Sequence, residues 1–350
     1  MSTSNEKNRK RARSVKSDIE SDNGLSENDI KKLDRLSSYK YRRKVRNTKV
    51  LFRAIDILFK RAQNSCPYVN KNDIVRMQCQ TDIVYDELHS VCKLDFYRCK
   101  SEEKQPAVII IHGGGFTAGD KKYRRGRAQF FAVNGFSVFV VNYGLAPDYK
   151  FPDPFIHIVT AANYIYDRAE EFNIDTDRIF VDGDSAGGYY AAMLAAFNGN
   201  ERFKEVFGLA PRFRVFGALL NCGVYDMDTV LNTKYPFNLA DGVVLSLTGI
   251  SVQDFDGYEY KDVCEPIEFV TKEFPPSFVI YSDHDVFCKG QGNVLVDKLN
   301  ELGVYCEYYS AMHATSNHCF SLTWHGEDAF AANELLMSFA KRLAAGKINL

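Results

Sequence analysis

The sequence predicts an α/β fold in which helices cover both faces of a mostly parallel, doubly wound sheet of eight strands. Short, continuous apolar runs recur along the chain, and such runs are typical of strands buried on both faces. Segments with apolar residues at helical spacing separate most of these runs. Strands that alternate with helices form βαβ units, which build a parallel sheet. The 350 residues, 45% of them apolar, suffice for one large core.

The first 50 residues are basic, whereas the rest of the chain is acidic. They hold 15 of the 44 Lys and Arg but only 7 of the 45 Asp and Glu, so this part has a net charge of +8 and the remainder −9. Residues 1–26 have almost no large apolar side chains and are predicted to be a disordered basic tail. The basic run 7–13 fits nucleic-acid binding or a nuclear address, but basic tails are most often only solvated. A nucleic-acid partner is therefore not expected.

Two helices are predicted after the tail. Residues 27–46 form a charged helix that Ser26 or Asp29 can cap. Residues 49–63 form an amphipathic helix, whose apolar face must pack against another part of the protein.

The predicted strands and the later helices follow in order. Strands are expected at 82–87, 91–98, 106–111, 137–143, 179–181, 215–220, 277–282 and 304–310. Helices are expected at 121–134, 154–172, 189–196, 290–302 and 326–345. The first two strands alternate in polarity and are predicted to form an antiparallel pair around a turn at 88–90. Residues 223–272 interrupt the alternation and are interpreted as a lid or cap segment over the carboxyl end of the sheet.

A sharp turn is predicted between the fifth strand and its helix. The run Ile179–Val181 leads into Gly183-Asp184-Ser185-Ala186-Gly187. A serine hydroxyl is a poor nucleophile unless a base lies on one side and N–H donors lie on the other. A strand-to-helix turn of this kind exposes the hydroxyl, and the two glycines allow the strand and helix to approach closely. Ser185 is therefore the candidate nucleophile.

Three ordered motifs carry a resemblance to a known family. They are His112-Gly113-Gly114-Gly115, Asn142-Tyr143-Gly144-Leu145-Ala146-Pro147 and Gly183-Asp184-Ser185-Ala186-Gly187-Gly188. From about residue 50 to 345 the chain resembles the hormone-sensitive-lipase-like branch of the α/β-hydrolase fold. The resemblance implies an N-terminal helical cap at 27–80 and a hydrolase domain at 81–350 with a cap insertion at 223–272. Gly144 departs from the family, which usually has Arg after the tyrosine.

The acid of a catalytic triad is expected after a late strand, because the triad order in this fold is serine, acid, histidine. The segment after the strand at 277–282 holds two candidates, Asp283 and Asp285. The family's D-x-L-x-D pattern falls on Asp285, and Asp283 is then a turn residue.

The triad histidine is expected after the last strand, where His313 and His318 are both candidates. The family's H-G-F pattern matches His318-Cys319-Phe320, with cysteine in place of the usual glycine. His284, beside the acid, is interpreted as a surface residue. The resemblance thus favours Ser185, Asp285 and His318 as the triad.

Backbone N–H groups are expected to bind the oxyanion. Ala186 follows the nucleophile directly, and the family pattern adds Gly114 and Gly115. Glycine suits this loop because the backbone must approach the substrate without side chains between them. His112 is interpreted as a structural anchor of the loop.

The predicted function is that of a serine carboxylesterase acting on small to medium acyl esters through an acyl-enzyme intermediate. The expected partner is a small-molecule ester. An amidase or another acyl hydrolase would use the same triad and stays an alternative. A non-catalytic ligand receptor is a second alternative, which the presence of His318 disfavours, since such relatives have lost this histidine. No cofactor is expected, and no metal, because no Cys, His or carboxylate cluster has ligand spacing along the sequence.

The cysteines and the N-terminus predict a cytoplasmic location. Nine cysteines are an odd number without framework spacing, which favours a reducing compartment. The N-terminus lacks the apolar core of a signal peptide, and nowhere do 18 apolar residues run together. No membrane span is therefore predicted, and the oligomeric state is left open.

Overall fold

The computed structural model describes residues 27–63, 66–232 and 239–348, so the predicted tail at 1–26 lies outside the described residues. The chain divides into two compact units, residues 1–46 and 47–350. The described part of the first unit is helical, and the second unit holds the sheet and every residue of the candidate site.

One helix replaces the two that the sequence predicted near the N-terminus. Helix α1 runs without interruption through Glu27–Gln63. Asn47 and Thr48, where a break was expected, are only moderately poor helix formers, and neither Gly nor Pro occurs there to stop the helix.

An eight-stranded sheet forms the centre of the second unit, as predicted. The strands are β1 (Met77–Val84), β2 (Lys93–Cys99), β3 (Gln105–Ile111), β4 (Ser137–Val141), β5 (Ile174–Asp184), β6 (Gly217–Asn221), β7 (Ser277–Tyr281) and β8 (Cys306–Ser310). Their order across the sheet is β1-β2-β4-β3-β5-β6-β7-β8. The pairs β1–β2 and β2–β4 are antiparallel, and the remaining pairs are parallel.

Strand β1 lies five residues earlier at its start than predicted. It is an edge strand that pairs with β2, and most of its residues are exposed. Its polar sequence lacks the apolar alternation that marks a half-buried strand. The register also shifts between Gln80 and Ile83, where Asp82 has a φ of +58°. The sheet therefore begins at Met77, and the predicted start of this strand at residue 82 was wrong.

Helices pack on both faces of the sheet. They are α2 (Lys71–Arg76), α3 (Arg125–Val133), α4 (Asp153–Asp167), α5 (Ala169–Phe172), α6 (Ala186–Ala195), α7 (Glu201–Phe207), α8 (Met227–Asn232), α9 (Leu239–Thr248), α10 (Gln291–Glu301) and α11 (Glu327–Ala344). Alternate strand residues point to opposite faces. Ile109 and Val181 join the core with α4, α6 and α10, whereas Ile110 and Phe180 join the core with α3 and α11.

The described residues of the segment 223–272 contain no strand, as predicted. They form α8, α9 and three short 3₁₀ turns (Val252–Gly257, Lys261–Val263 and Pro266–Phe269). Among the described residues, no helix has the length and the apolar content needed to cross a membrane.

Candidate active site

Ser185 occupies a strained turn between β5 and α6. Its φ of +53° and ψ of −122° lie where residues with a side chain rarely occur. A Cβ on Gly183 would overlap the backbone of Gly187, and one on Gly187 would overlap the carbonyl of Ile111. The Ser185 N–H donates to the Asn221 carbonyl at the end of β6, at 2.9 Å. The elbow predicted from the sequence is present, and both of its glycines are sterically required.

Asp285 and His318 form a close pair. The Nδ1 atom of His318 lies 2.9 and 3.0 Å from the two carboxylate oxygens of Asp285. One of these oxygens also accepts hydrogen bonds from the N–H groups of Phe287 and Cys288, at 2.8 and 2.9 Å. Burial alone would raise the pKa of Asp285, but His318 and these N–H donors outweigh it, and the pKa is lowered. Asp285 is therefore a charged acceptor that fixes the orientation of the imidazole.

The other candidate acid and the other histidines lie apart from this pair. Asp283 and His284 are exposed on the same loop. His313 is 53% exposed, and its Nδ1 lies 3.1 Å from a carboxylate oxygen of Asp328 on α11. The choice of Asp285 and His318 that the motifs favoured agrees with this geometry.

Phe287 connects Ser185 with His318. Its ring packs edge-on against the imidazole, with the two ring centroids 4.9 Å apart. The same ring lines the cavity to which Ser185 contributes. Phe287 therefore contacts the imidazole of His318 and also borders the cavity of Ser185.

The glycine-rich loop after β3 presents free N–H groups. Gly114 and Gly115 have φ angles of +133° and +57°. No described residue accepts a hydrogen bond from either N–H. Ala186 opens helix α6, where the first N–H groups have no intrahelical acceptor. These are the three donors that the sequence predicted for an oxyanion.

His112 is a buried anchor of this loop. Its ring stacks on Tyr143, and the Tyr143 hydroxyl donates to the His112 carbonyl at 2.6 Å. Burial lowers the pKa of His112 to about 4, so the ring is neutral at physiological pH. Its Nδ1 lies 2.9 Å from the Gly113 carbonyl, which fits the anchor predicted from the sequence.

A buried ion pair joins the loop to the elbow. Both carboxylate oxygens of Asp184 accept hydrogen bonds from the Arg124 guanidinium. The Gly113 N–H donates to the same carboxylate at 3.2 Å. The pair thus holds the glycine loop beside Ser185. Arg124 was missed by the sequence reasoning, because a single arginine in a basic stretch gives no signal of its partner.

Asp56 on α1 is a second residue that the sequence did not single out. It is 4% exposed, although it carries a carboxyl group. Burial raises its pKa to about 6, and the nearby Arg124 and the N–H of Gly119 offset only part of that effect. Its burial could not be inferred from the sequence, because a carboxyl side chain among other charged residues is expected on the exposed face of a helix.

An apolar cavity lies beside Ser185. Its lining is made of Phe52, Gly115, Phe116, Ser185, Ala186, Val224, Val230, Ala240, Val243, Phe287 and Cys288. The volume open to the centre of a water molecule is only about 20 Å³, close to the space that one buried water needs. A Cβ on Gly115 would overlap the ring of Phe52. Phe52 and Gly115 therefore meet at the wall of the cavity.

Three cysteine thiols lie close to the Asp285–His318 pair. The sulfurs of Cys222 and Cys319 and a ring nitrogen of His318 all lie within 4.8 Å of one another. The donor atoms of Asp285, Cys288 and His318 form a second group of the same size. The expectation of no ligand cluster considered only spacing along the chain, whereas the fold brings these distant residues together.

Comparisons with known proteins agree with this architecture. The family model BD-FAE matches residues 94–299. The probable carboxylic ester hydrolase LipM of Mycobacterium tuberculosis is 26% identical over 259 residues, which cover 72% of this chain and 58% of LipM. Esterase LipI of the same organism is 35% identical over 98 residues, or 28% of this chain and 31% of LipI. The chain thus spans less than two thirds of these curated relatives.

The fold has close counterparts among solved structures. Esterase B from Lactobacillus rhamnosis superposes with a TM-score of 0.74 at 20% sequence identity. The match covers 88% of this chain and 96% of the esterase chain. The thermostable carboxylesterase EstE1 has a TM-score of 0.65 at 21% identity, covering 86% of this chain and 98% of its own. These likenesses confirm the α/β-hydrolase fold that the motifs implied.

Proposed function

The chain belongs to the BD-FAE family, and on that premise we propose that it is a serine carboxylesterase for esters of small to medium acyl chains. The single observation that carries the proposal is the Asp285–His318 pair beside the cavity of Ser185. The names of the matched relatives, which include a carboxylic ester hydrolase and an esterase, support the same reaction class.

The three side chains have complementary roles. His318 uses Nδ1 for Asp285 and so presents its other ring nitrogen, Nε2, as the base for the Ser185 hydroxyl. Ser185 attacks the ester carbonyl, and His318 takes its proton and gives it to the departing alcohol. Asp285 holds the tautomer and stabilises the imidazolium. His318 then activates a water that attacks the acyl-enzyme and releases the acid.

The N–H groups of Gly114, Gly115 and Ala186 bind the oxyanion of the tetrahedral intermediate. The proposal is supported by the lack of any other acceptor for the two glycine donors among the described residues. Each donor of this kind typically lowers the barrier by about 3 kcal/mol. The Arg124–Asp184 pair keeps the loop in place, because Asp184 binds both Arg124 and the Gly113 N–H.

The walls of the cavity select the acyl group. Val224, Val230, Ala240 and Val243 come from the segment 223–272, and Phe52 comes from α1. We therefore assign to this segment, and to the part of the predicted N-terminal cap that lies in the second unit, the role of a cap. Because the space is close to that of one water, an acyl chain enters only when Phe52 or the segment 223–272 moves, and a longer chain requires a larger movement.

The substrate is a small-molecule ester, and no nucleic acid takes part. We place the reaction in the cytoplasm, where thiols stay reduced. All nine cysteines of the chain are unpaired, and all lie among the described residues.

The test is hydrolysis of p-nitrophenyl acetate, butyrate and octanoate, measured beside an aryl amide of the same acyl group. We expect turnover of the two shorter esters, weak turnover of octanoate and little of the amide, and no turnover by Ser185→Ala. Activity that persists in a well-folded Ser185→Ala protein would contradict the serine mechanism. Faster hydrolysis of the amide than of the ester would favour the amidase alternative.

A further inference from the structure

Two cysteines that are distant in sequence meet at the same histidine. Cys222 directly follows β6, and Cys319 directly follows His318. We propose that Cys222, Cys319 and His318 form a binding site for Zn²⁺ and similar thiol-binding divalent ions, and that occupation of this site switches the esterase off.

The donor atoms have the composition and the spacing of a zinc site. Two thiolates and one imidazole form a Cys₂His set, which occurs in zinc sites that keep a fourth position open. With Zn–S bonds of about 2.3 Å, the two sulfurs of a tetrahedral site lie about 3.8 Å apart. The three donor atoms here lie within 4.8 Å of one another. Ligation therefore requires a contraction of about 1 Å at most, which side-chain rotation can supply.

Both cysteines occupy backbone positions that disfavour a side chain. The φ angles are +46° at Cys222 and +51° at Cys319. Positions of this kind are normally taken by glycine or asparagine, and the strain at a residue with a Cβ is typical of functional sites. At residue 319 the matching family pattern itself has glycine. The presence of a thiol at both of these strained positions, with both sulfurs near the same histidine, points to a role for the pair.

Charge balance allows an ion in this buried place. Cys222 and Cys319 are 2% and 1% exposed. An unpaired charge there would be strongly disfavoured. Two thiolates cancel the charge of Zn²⁺, so the occupied site is neutral, and the protons of the thiols are released on binding.

Occupation of the site removes the catalytic base. The Nδ1 atom of His318 binds Asp285, and Nε2 is the proposed base for Ser185. Coordination of either nitrogen by a metal ion therefore prevents proton transfer. The inhibition rests on the proposed function of His318, whereas the binding of the ion does not.

The first experiment measures binding without any use of activity. Cd²⁺ is added to the full-length Ser185→Ala protein, and the thiolate-to-metal charge-transfer absorption is recorded. We expect one ion per chain with two thiolate ligands, and competition by Zn²⁺. Introducing Cys222→Ser or Cys319→Gly into this protein should weaken Cd²⁺ binding at least about 100-fold. Loss of a residue that only hydrogen-bonds to a metal ligand already lowers metal affinity by about 10–100-fold.

Matched variants define the site. Cys79→Ser removes an exposed thiol of β1 and should bind Cd²⁺ like the parent. Cys222→Ala and Cys319→Ser, with thermal melts, show that the loss does not come from misfolding. Unchanged binding in the folded Cys222 and Cys319 variants would overturn the proposal. Loss of binding in Cys288→Ser alone would also overturn it, because the ion would then occupy the group formed with Asp285.

The second experiment measures inhibition. Zn²⁺ should inhibit ester hydrolysis by the wild-type chain, EDTA should restore it, and Cys319→Gly should raise the inhibitory concentration at least about 100-fold. Binding without inhibition of an active enzyme would refute the switch. An inactive wild-type protein that still binds Cd²⁺ through two thiolates would refute the proposed esterase and leave the metal site standing.

Discussion

Replacing Asp56 by asparagine should stabilise the folded protein at neutral pH. The folded-state pKa of this carboxyl is about 6, against a reference value of 3.8. A difference of about 2 pKa units corresponds to about 3 kcal/mol, since each unit is worth 1.36 kcal/mol. Asparagine keeps an oxygen that can accept from the Gly119 N–H, but it cannot ionise.

The sign follows from proton binding. Between pH 3.8 and about 6 the folded protein keeps the Asp56 proton, whereas the unfolded chain has lost it. A rise in pH across this window therefore favours the unfolded chain, and the full cost is present above about pH 6. The asparagine variant is free of this cost. Its stability relative to the wild type should therefore rise by about 2.4 kcal/mol from pH 4 to pH 7 and stay nearly constant above.

Equilibrium urea unfolding of both proteins at pH 4 to 8 measures this difference. Asp148→Asn, which removes an exposed carboxyl, is the matched control, since its removal changes no buried group. A difference between wild type and Asp56→Asn that is constant with pH would refute the reasoning. A difference that falls with rising pH would mean that ionised Asp56 stabilises the fold through Arg124.

Three further predictions concern the active site. Asp285→Asn should lower kcat for p-nitrophenyl butyrate by about 10⁴, because the amide holds the wrong imidazole tautomer. Asp283→Asn should stay close to wild type in the same assay, and the reverse ranking in folded proteins would show that the acid is misassigned. Phe52→Ala should raise kcat/KM for octanoate relative to butyrate severalfold, because the ring forms one wall of the small cavity. An unchanged ratio would show that Phe52 does not limit the length of the acyl chain. EDTA should not lower the rate, because the mechanism uses Ser185 and no metal; a rate that collapses with chelator and returns with Zn²⁺ would rule this mechanism out.

Local sequence patterns were enough to predict the centre of the sheet. Strands such as Val138–Val141 and Ile109–Ile111 are continuous apolar runs that cannot be accommodated at the surface, and the elbow glycines leave few other conformations for Ser185. Strand β1 was placed wrongly because its polar, exposed sequence reflects an edge position, which depends on its partner β2.

The parts of the site that the sequence did not reveal depend on contacts between distant residues. The roles of Asp56 and Arg124 depend on the contact between the second-unit part of α1 and the loop after β3. Cys222 and Cys319 become neighbours because β6 ends beside the loop that holds His318. Residue spacing along the chain cannot reveal such contacts. The resemblance to the family singled out Asp285 and His318, because the order of the triad residues is a property of the fold, and these two side chains are hydrogen-bonded.

The most direct test of the central claim is covalent labelling of the nucleophile. The full-length protein is treated with diethyl p-nitrophenyl phosphate, which phosphorylates activated serines, and the adduct is located by peptide mass spectrometry. The account predicts one diethylphosphoryl group per chain, on Ser185, formed in step with the loss of esterase activity and strongly slowed in His318→Ala. An adduct on another residue, or full loss of activity with Ser185 unmodified, would contradict it.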